Sequence, residues 1–167
     1  MTREDALKIA KPILFNTEMV RAILDGKKTA TRRIMKPQPI LEGHFWRVGG
    51  AGWSDDILAV HPISCHSLYN KMPYHTGGVM YVREAFCPNY FDESIAGYRI
   101  DMRGNRNAYK ADYYKEVVCD VVPEPKWCPS IHMPKSAARI FLRVTDVRLE
   151  RLQMVNEEQA EKEGCFG

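Results

Sequence analysis

The run Gly26-Lys27-Lys28-Thr29-Ala30-Thr31-Arg32-Arg33 gathers four cations and two hydroxyls, and no acidic residue follows until Glu42. Such a set can do chemistry in two ways. A lysine crowded by Lys27, Arg32 and Arg33 has its charged form disfavoured and moves towards service as a general base. With Lys28 at a bend, its amine can approach the Thr31 hydroxyl, a weak nucleophile until a base sits beside it. Left protonated, the same cations grip a phosphate through charge-assisted hydrogen bonds. A solvated basic turn after a helix needs neither chemistry, and spacing alone leaves all three readings open.

The elements that must position this run are legible on both sides of it. Lys11 to Phe15 reads as a first strand after a lead-in. Asn16 can cap a helix whose stripe is Met19, Val20, Ile23 and Leu24, with Glu18 at its positive end and Gly26 as its stop. β-branched residues predict a strand from Thr29 to Met35, closed by the Lys36-Pro37-Gln38-Pro39 linker. If that segment is extended, Thr31 and Arg33 share one face and Ala30 and Arg32 the other.

Residues 40–78 and 87–129 read as loop-rich insertions, the first too long for a passive turn. Between them, Gly77-Gly78 opens a strand from Val79 to Phe86, and Pro88 closes it. A short strand at Tyr98–Met102 and an apolar run at Val117–Val122 lie in the second region. Ser136 to Leu152 alternates as strand material. Its apolar parity slips at Thr145-Asp146, which implies a turn or bulge between two β pieces. Asn156 then caps a last helix with Gln159 in a capping-box arrangement, and Gly164 ends it. Few helices and several short strands predict one small α+β domain over residues 1–167, built on a partly open β-barrel with flanking helices.

Composition narrows the setting. The chain has 167 residues, 45% hydrophobic and 27% charged, with a net charge of +3 and a pI near 8.6. That is ordinary globular composition, and it permits an anionic partner without demanding one. Five cysteines without C-x-x-C spacing, and no leader-like start, predict reduced thiols in the cytoplasm. No apolar run has the ~20 residues of a membrane span, so no membrane partner is expected. His61, Cys65, His66 and His75 match no zinc spacing and read as ordinary loop residues. Cys119 and Cys128 likewise read as packed or partly exposed thiols. Trp46, Trp53 and Tyr69 can stack on bases or pin a loop to the core, and the pinning role is favoured because few basic residues interleave them. Arg139, Arg143, Arg148 and Arg151 read as a solvated outer face. Aligned with Lys27, Arg32 and Lys36, they would make one basic side.

The pattern Gly26-x-Lys28-x-x-Thr31-x-Arg33 resembles the signature of the ASCH superfamily, small domains with a PUA-like β-barrel. Gly78-Val79-Met80-Tyr81-Val82-Arg83-Glu84 resembles the family's "G-D-x-L-Y-V-R-E" strand, with valine where aspartate is usual. Trp127 to Pro134 resembles a block in longer phage and prophage members, and Asn156 to Gly164 the helix ending in "E-G". The family's longer members continue with another helix and a closing strand, whereas this chain stops at Gly167. Such a shortened end implies an open barrel edge, either left so or covered by a partner.

The resemblance implies a cleft beside the signature, bounded by the strands around Tyr81 and Ile140, that binds RNA, a nucleotide or a modified nucleoside. Lys27, Lys28, Arg32 and Arg33 would supply anion contacts, with Tyr81 and either Arg83 or Glu84 facing the ligand. It also implies an alternative activity, a metal-free amidohydrolase without cofactor that deacylates an N-acylated nucleobase such as N4-acetylcytidine. There Lys28 would be the base, Thr31 the nucleophile and Glu163 the acid partner, with Arg33 holding the oxyanion. A third possibility is a phage or prophage accessory protein that works through a protein interface. Oligomeric state is not legible.

Overall fold

A computed structural model describes residues 2–61, 66–70, 72–88, 98–100, 106–113 and 125–164. In chain order the elements are α1 (Arg3–Ile9), β1 (Lys11–Leu14), α2 (Thr17–Leu24), β2 (Ile40–Glu42), β3 (Phe45–Val48), β4 (Ala51–Ser54), β5 (Ala59–Val60) and α3 (His66–Tyr69). There follow β6 (Val79–Arg83), β7 (Phe86–Pro88), β8 (Tyr98–Ile100), β9 (Arg106–Tyr109), β10 (Phe141–Arg143), β11 (Leu149–Glu150) and α4 (Glu157–Lys162). The protein is mixed α+β. Its described strands form four small sheets and close into no barrel.

The chain divides into two compact units. The first comprises Met1–Lys27 and Val79–Arg143, the second Lys28–Gly78 and Val144–Gly167.

In the first unit, β6 is the central strand, parallel to β1 (Ile13 opposite Val82) and antiparallel to β10 (Leu142 opposite Met80). Buried on both faces, β6 reads as the near-continuous apolar run that such a position requires. Asn16 Oδ1 accepts from the Met19 amide at 2.8 Å, and Gly26, at φ 72°, ends α2 in the left-handed conformation that its missing Cβ permits. The lead-in holds a helix as well. Thr2 and Asp5 form a reciprocal capping box for α1, which buries Ala6. Ala6, Ala10, Tyr81, Phe86, Tyr109 and Met133 belong to one core with Ala137 and Ala138. The strand expected from Val79 to Phe86 is two strands, because the chain leaves β6 at Glu84 and Ala85 and β7 joins a separate sheet, β7-β9-β8. The short strand expected at Tyr98 is there as β8. Residues 117–122, with Cys119, fall outside the described residues, as do Cys65 and Cys165.

In the second unit, the segment read as loop from residue 40 is largely an antiparallel meander, β2-β3-β4, followed by β5 paired with β11. Val48 and Ala51 are joined by Gly49-Gly50, both at positive φ (53° and 85°). That two-residue turn matches the right-handed twist of the strands it links, and only glycine enters it without strain. Val48 and Ala51 are buried, packed with Met35, Trp53 and Leu149. The break expected near Thr145-Asp146 is real: β10 ends at Arg143 and β11 starts at Leu149. The flanking pieces are shorter than the alternation suggested, since residues 135–137 and 152–154 are 3-10 turns. α4 has the expected cap, with Asn156 Oδ1 accepting from the Gln159 amide at 2.9 Å.

Candidate functional site

The second unit holds the signature run after Lys27, and it is not the predicted strand. Residues 29–35 enter no ladder. The amides of Thr29 and Ala30 both donate to Lys162 O, each at 2.8 Å. The last carbonyls of a helix have no partner within it, and here the signature supplies them. Lys28 completes the cap: its Nζ donates to Glu163 O at 2.6 Å and to Ala30 O at 2.8 Å, in a side chain that is buried. A cation at this end also suits the helix dipole. Local β propensity thus loses to carbonyls that must be satisfied somewhere.

Of the neighbouring cations, Arg32 is paired with carboxylates and Lys27 sits 3.6 Å from Asp25. Thr31 Oγ1 accepts from Arg33 Nη1 at 3.1 Å, and the same nitrogen donates to Arg32 O at 3.0 Å.

Arg32 is the hub of the site. Its Nη2 donates to Glu150 Oε2 at 3.0 Å, and its Nη1 lies 3.1 Å from Glu163 Oε1 and 3.4 Å from Gln159 O. The Glu163 contact is an ion pair with a buried carboxylate oxygen. Arg32 Nε is also buried and has no acceptor among the described residues. Burial opposes the guanidinium charge, but the two carboxylates outweigh it and hold the group above its ordinary range. Arg148 Nε reaches Glu150 Oε1 at 2.6 Å and Asp146 Oδ2 at 3.9 Å, and His61 lies 3.4 Å from Asp146. An alternating chain of charge therefore runs from Asp146 through Arg148, Glu150 and Arg32 to Glu163. Sequence reasoning singled out Arg148 only as part of a solvated face, and it gave Asp146 and Glu150 no place in a site. Their i, i+2, i+4 spacing with alternating sign was the available signal. Tyr74 was also missed. Burial raises its phenol, and the Arg33 charge partly counters this.

Tyr81, Arg83 and Glu84 belong to the first unit. Tyr81 is buried in its core, with Lys135 Nζ 5.4 Å from the ring centroid. Arg83 donates to Met133 O at 3.1 Å and also to Ile131 O, fastening the Trp127–Pro134 block to β6. Glu84 is 1% exposed and takes a bidentate grip from Arg139 at 2.8 and 2.9 Å. Arg139 also pairs with Asp112, and its guanidinium carbon lies 4.1 Å from the Tyr109 ring centroid. Burial raises the Glu84 carboxyl, against the pull of Arg139. Arg139 is thus no part of a solvated face, since its side chain is 10% exposed. Arg143 and Arg148 are exposed, and Arg151 is half-buried. Two groups considered for a metal have other neighbours: His61 pairs with Asp146, and His75 stacks on Tyr69 at 4.2 Å between centroids.

No protein-family model, no curated protein and no solved structure matches the chain.

Proposed function

We propose that this protein is an ASCH-type domain of PUA-like fold that binds RNA or a nucleotide at the signature run. One observation carries the reading. Arg33 is exposed at the end of the run, with the Arg32 guanidinium and the Lys28 amine just before it in the chain. Arg33, exposed and adjoining Thr31, is the phosphate contact. Fluorescence anisotropy with a short single-stranded RNA tests this. Affinity should fall steeply between 50 and 200 mM salt, and Arg33→Ala should reduce the salt slope by about one contact's worth. Absent or salt-independent binding overturns the reading.

A second reading, metal-free hydrolysis of an N-acylated nucleobase such as N4-acetylcytidine, rests on the burial of Lys28 in the same run as the Thr31 hydroxyl. For it to operate, Lys28 must give up a carbonyl and its proton before it can activate Thr31. Turnover should then rise with pH and vanish in Lys28→Ala and Thr31→Ala. Chromatography of N4-acetylcytidine incubated with wild type and Thr31→Ala decides it, and retained turnover in the variant removes Thr31 from the role.

A further inference from the structure

The meander of the second unit ends in an open edge. β2 is the outer strand of the order β2-β3-β4, and among the described residues no strand pairs with its other side. Gly43-His44 is a two-residue hairpin loop, with Gly43 at φ 62°, so Glu42 and Phe45 form the hydrogen-bonded pair that closes it. By alternation the main chain of Ile40 also faces β3, opposite Arg47. That leaves the N–H and C=O of Leu41, the C=O of Pro39 and the N–H of Gly43 pointing outward. The side chains at this edge are open too: Ile40, Leu41 and Phe45 are 66%, 46% and 52% exposed. Edge strands are ordinarily guarded by a lysine, a proline within the strand or a bulge. β2 is Ile-Leu-Glu and has none of these, and its one charge is matched by Arg47, 3.0 Å from Glu42.

The pattern of this edge fits itself. We propose that two copies of the chain join through β2, antiparallel about a two-fold axis at Leu41, into one six-stranded sheet. The two Leu41 residues then exchange both of their main-chain hydrogen bonds, and each Gly43 N–H donates to Pro39 O of the other copy. The proline donor that is lost leaves only a turn carbonyl to solvent. On one face the rung Trp53–Trp46–Leu41 meets its own image, so an apolar row runs across both copies on the side that carries Val48 and Ala51. On the other face Glu42 stands opposite Ile40 of the second copy, and Arg47 of that copy follows in the same rung. The edge thus offers acid towards base across the axis, with no like charge directly opposite. An isologous contact of this kind closes after two chains. It stands whether or not the signature binds RNA.

Sedimentation equilibrium of the full chain over a range of concentrations tests this. Wild type should show a monomer–dimer equilibrium with Kd on the order of micromolar, as a small interface implies. Leu41→Lys places like charges on the axis and should weaken dimerisation roughly tenfold or more. Leu41→Thr keeps the β propensity and loses the apolar contact, so it should weaken dimerisation as well while the thermal midpoint of the monomer holds. The register has its own readout. In a hydrogen-bonded pair the two Leu41 Cα atoms stand about 5.5 Å apart, within the range a disulfide spans. Leu41→Cys treated with diamide should therefore cross-link to itself, whereas Leu58→Cys, equally exposed but off the edge, should cross-link no more than wild type. A monomer at every concentration would overturn the proposal and leave the edge to a strand of another protein. A dimer unchanged in both Leu41→Lys and Leu41→Thr would place the contact elsewhere and overturn it too. Cross-linking of Leu41→Cys no stronger than that of Leu58→Cys would overturn the two-fold register.

Discussion

At the scale of single residues, Arg139 and the buried Glu84 hold structure together. Arg139 is gripped by Glu84 and Asp112 and lies against Tyr109. Replacing it by methionine fills the volume but strands Glu84, which is 1% exposed. Chemical denaturation of Arg139→Met should show a loss of about 3–5 kcal/mol. Glu84 also sets a pH dependence. Its carboxyl is raised in the folded state, mainly by burial, so the folded protein holds that proton more tightly than the unfolded chain. Its own contribution therefore favours folding at low pH, and it fades as pH rises from about 4 through the raised value. Measured against Glu84→Gln across that window, wild type should lose stability with rising pH, and a flat difference would refute the assignment. Lys28 was legible as a special residue from its neighbours. Its partners were not, because Glu163 is far away in sequence and accepts through its main chain, which carries no side-chain signature.

At the scale of elements, caps and turns were readable wherever one local rule decides. Asn16, Asn156 and Gly26 act as their types predict. The meander escaped notice although Gly49-Gly50 marks its hairpin, because strands of three or four residues are too short to show alternation. The Thr29–Met35 segment misled for another reason: its β-branched residues fit a strand, but its amides are spent on the end of α4. Two predictions belong here. Gly49→Val should destabilise the second unit by about 1–2 kcal/mol, read as a lower thermal midpoint, since valine opposes positive φ. Asp5 and Glu158 are held below the ordinary carboxylate range, by Thr2 and by Lys162. What they contribute to α1 and α4 is present above about pH 4 and is lost as pH falls through their lowered values. An NMR titration should show the amides of both helices losing protection together with those carboxyls, and unchanged protection would count against it.

At the scale of the whole molecule, a net charge of +3 says little, because Arg32, Arg139 and Arg148 already have carboxylate partners. Among the described residues no helix is long and apolar enough to cross a membrane. Each compact unit is assembled from separated stretches of chain. A fragment covering residues 28–78 lacks Leu149 for its small core, β11 for β5, and the α4 end that the signature caps. It should therefore show no cooperative thermal transition when expressed alone, and a sharp one would refute this account of the unit. No local pattern announced that division, since it depends on contacts between residues far apart in sequence.

The bond from Lys28 to Glu163 spans 135 positions. A ribosome adds roughly 5–20 residues each second, so the signature emerges on the order of ten seconds before its partner. During that interval both Lys28 and Arg32 stay solvated and lack their later neighbours. A nascent chain thus presents bare cations to every polyanion nearby until α4 is synthesised and covers them.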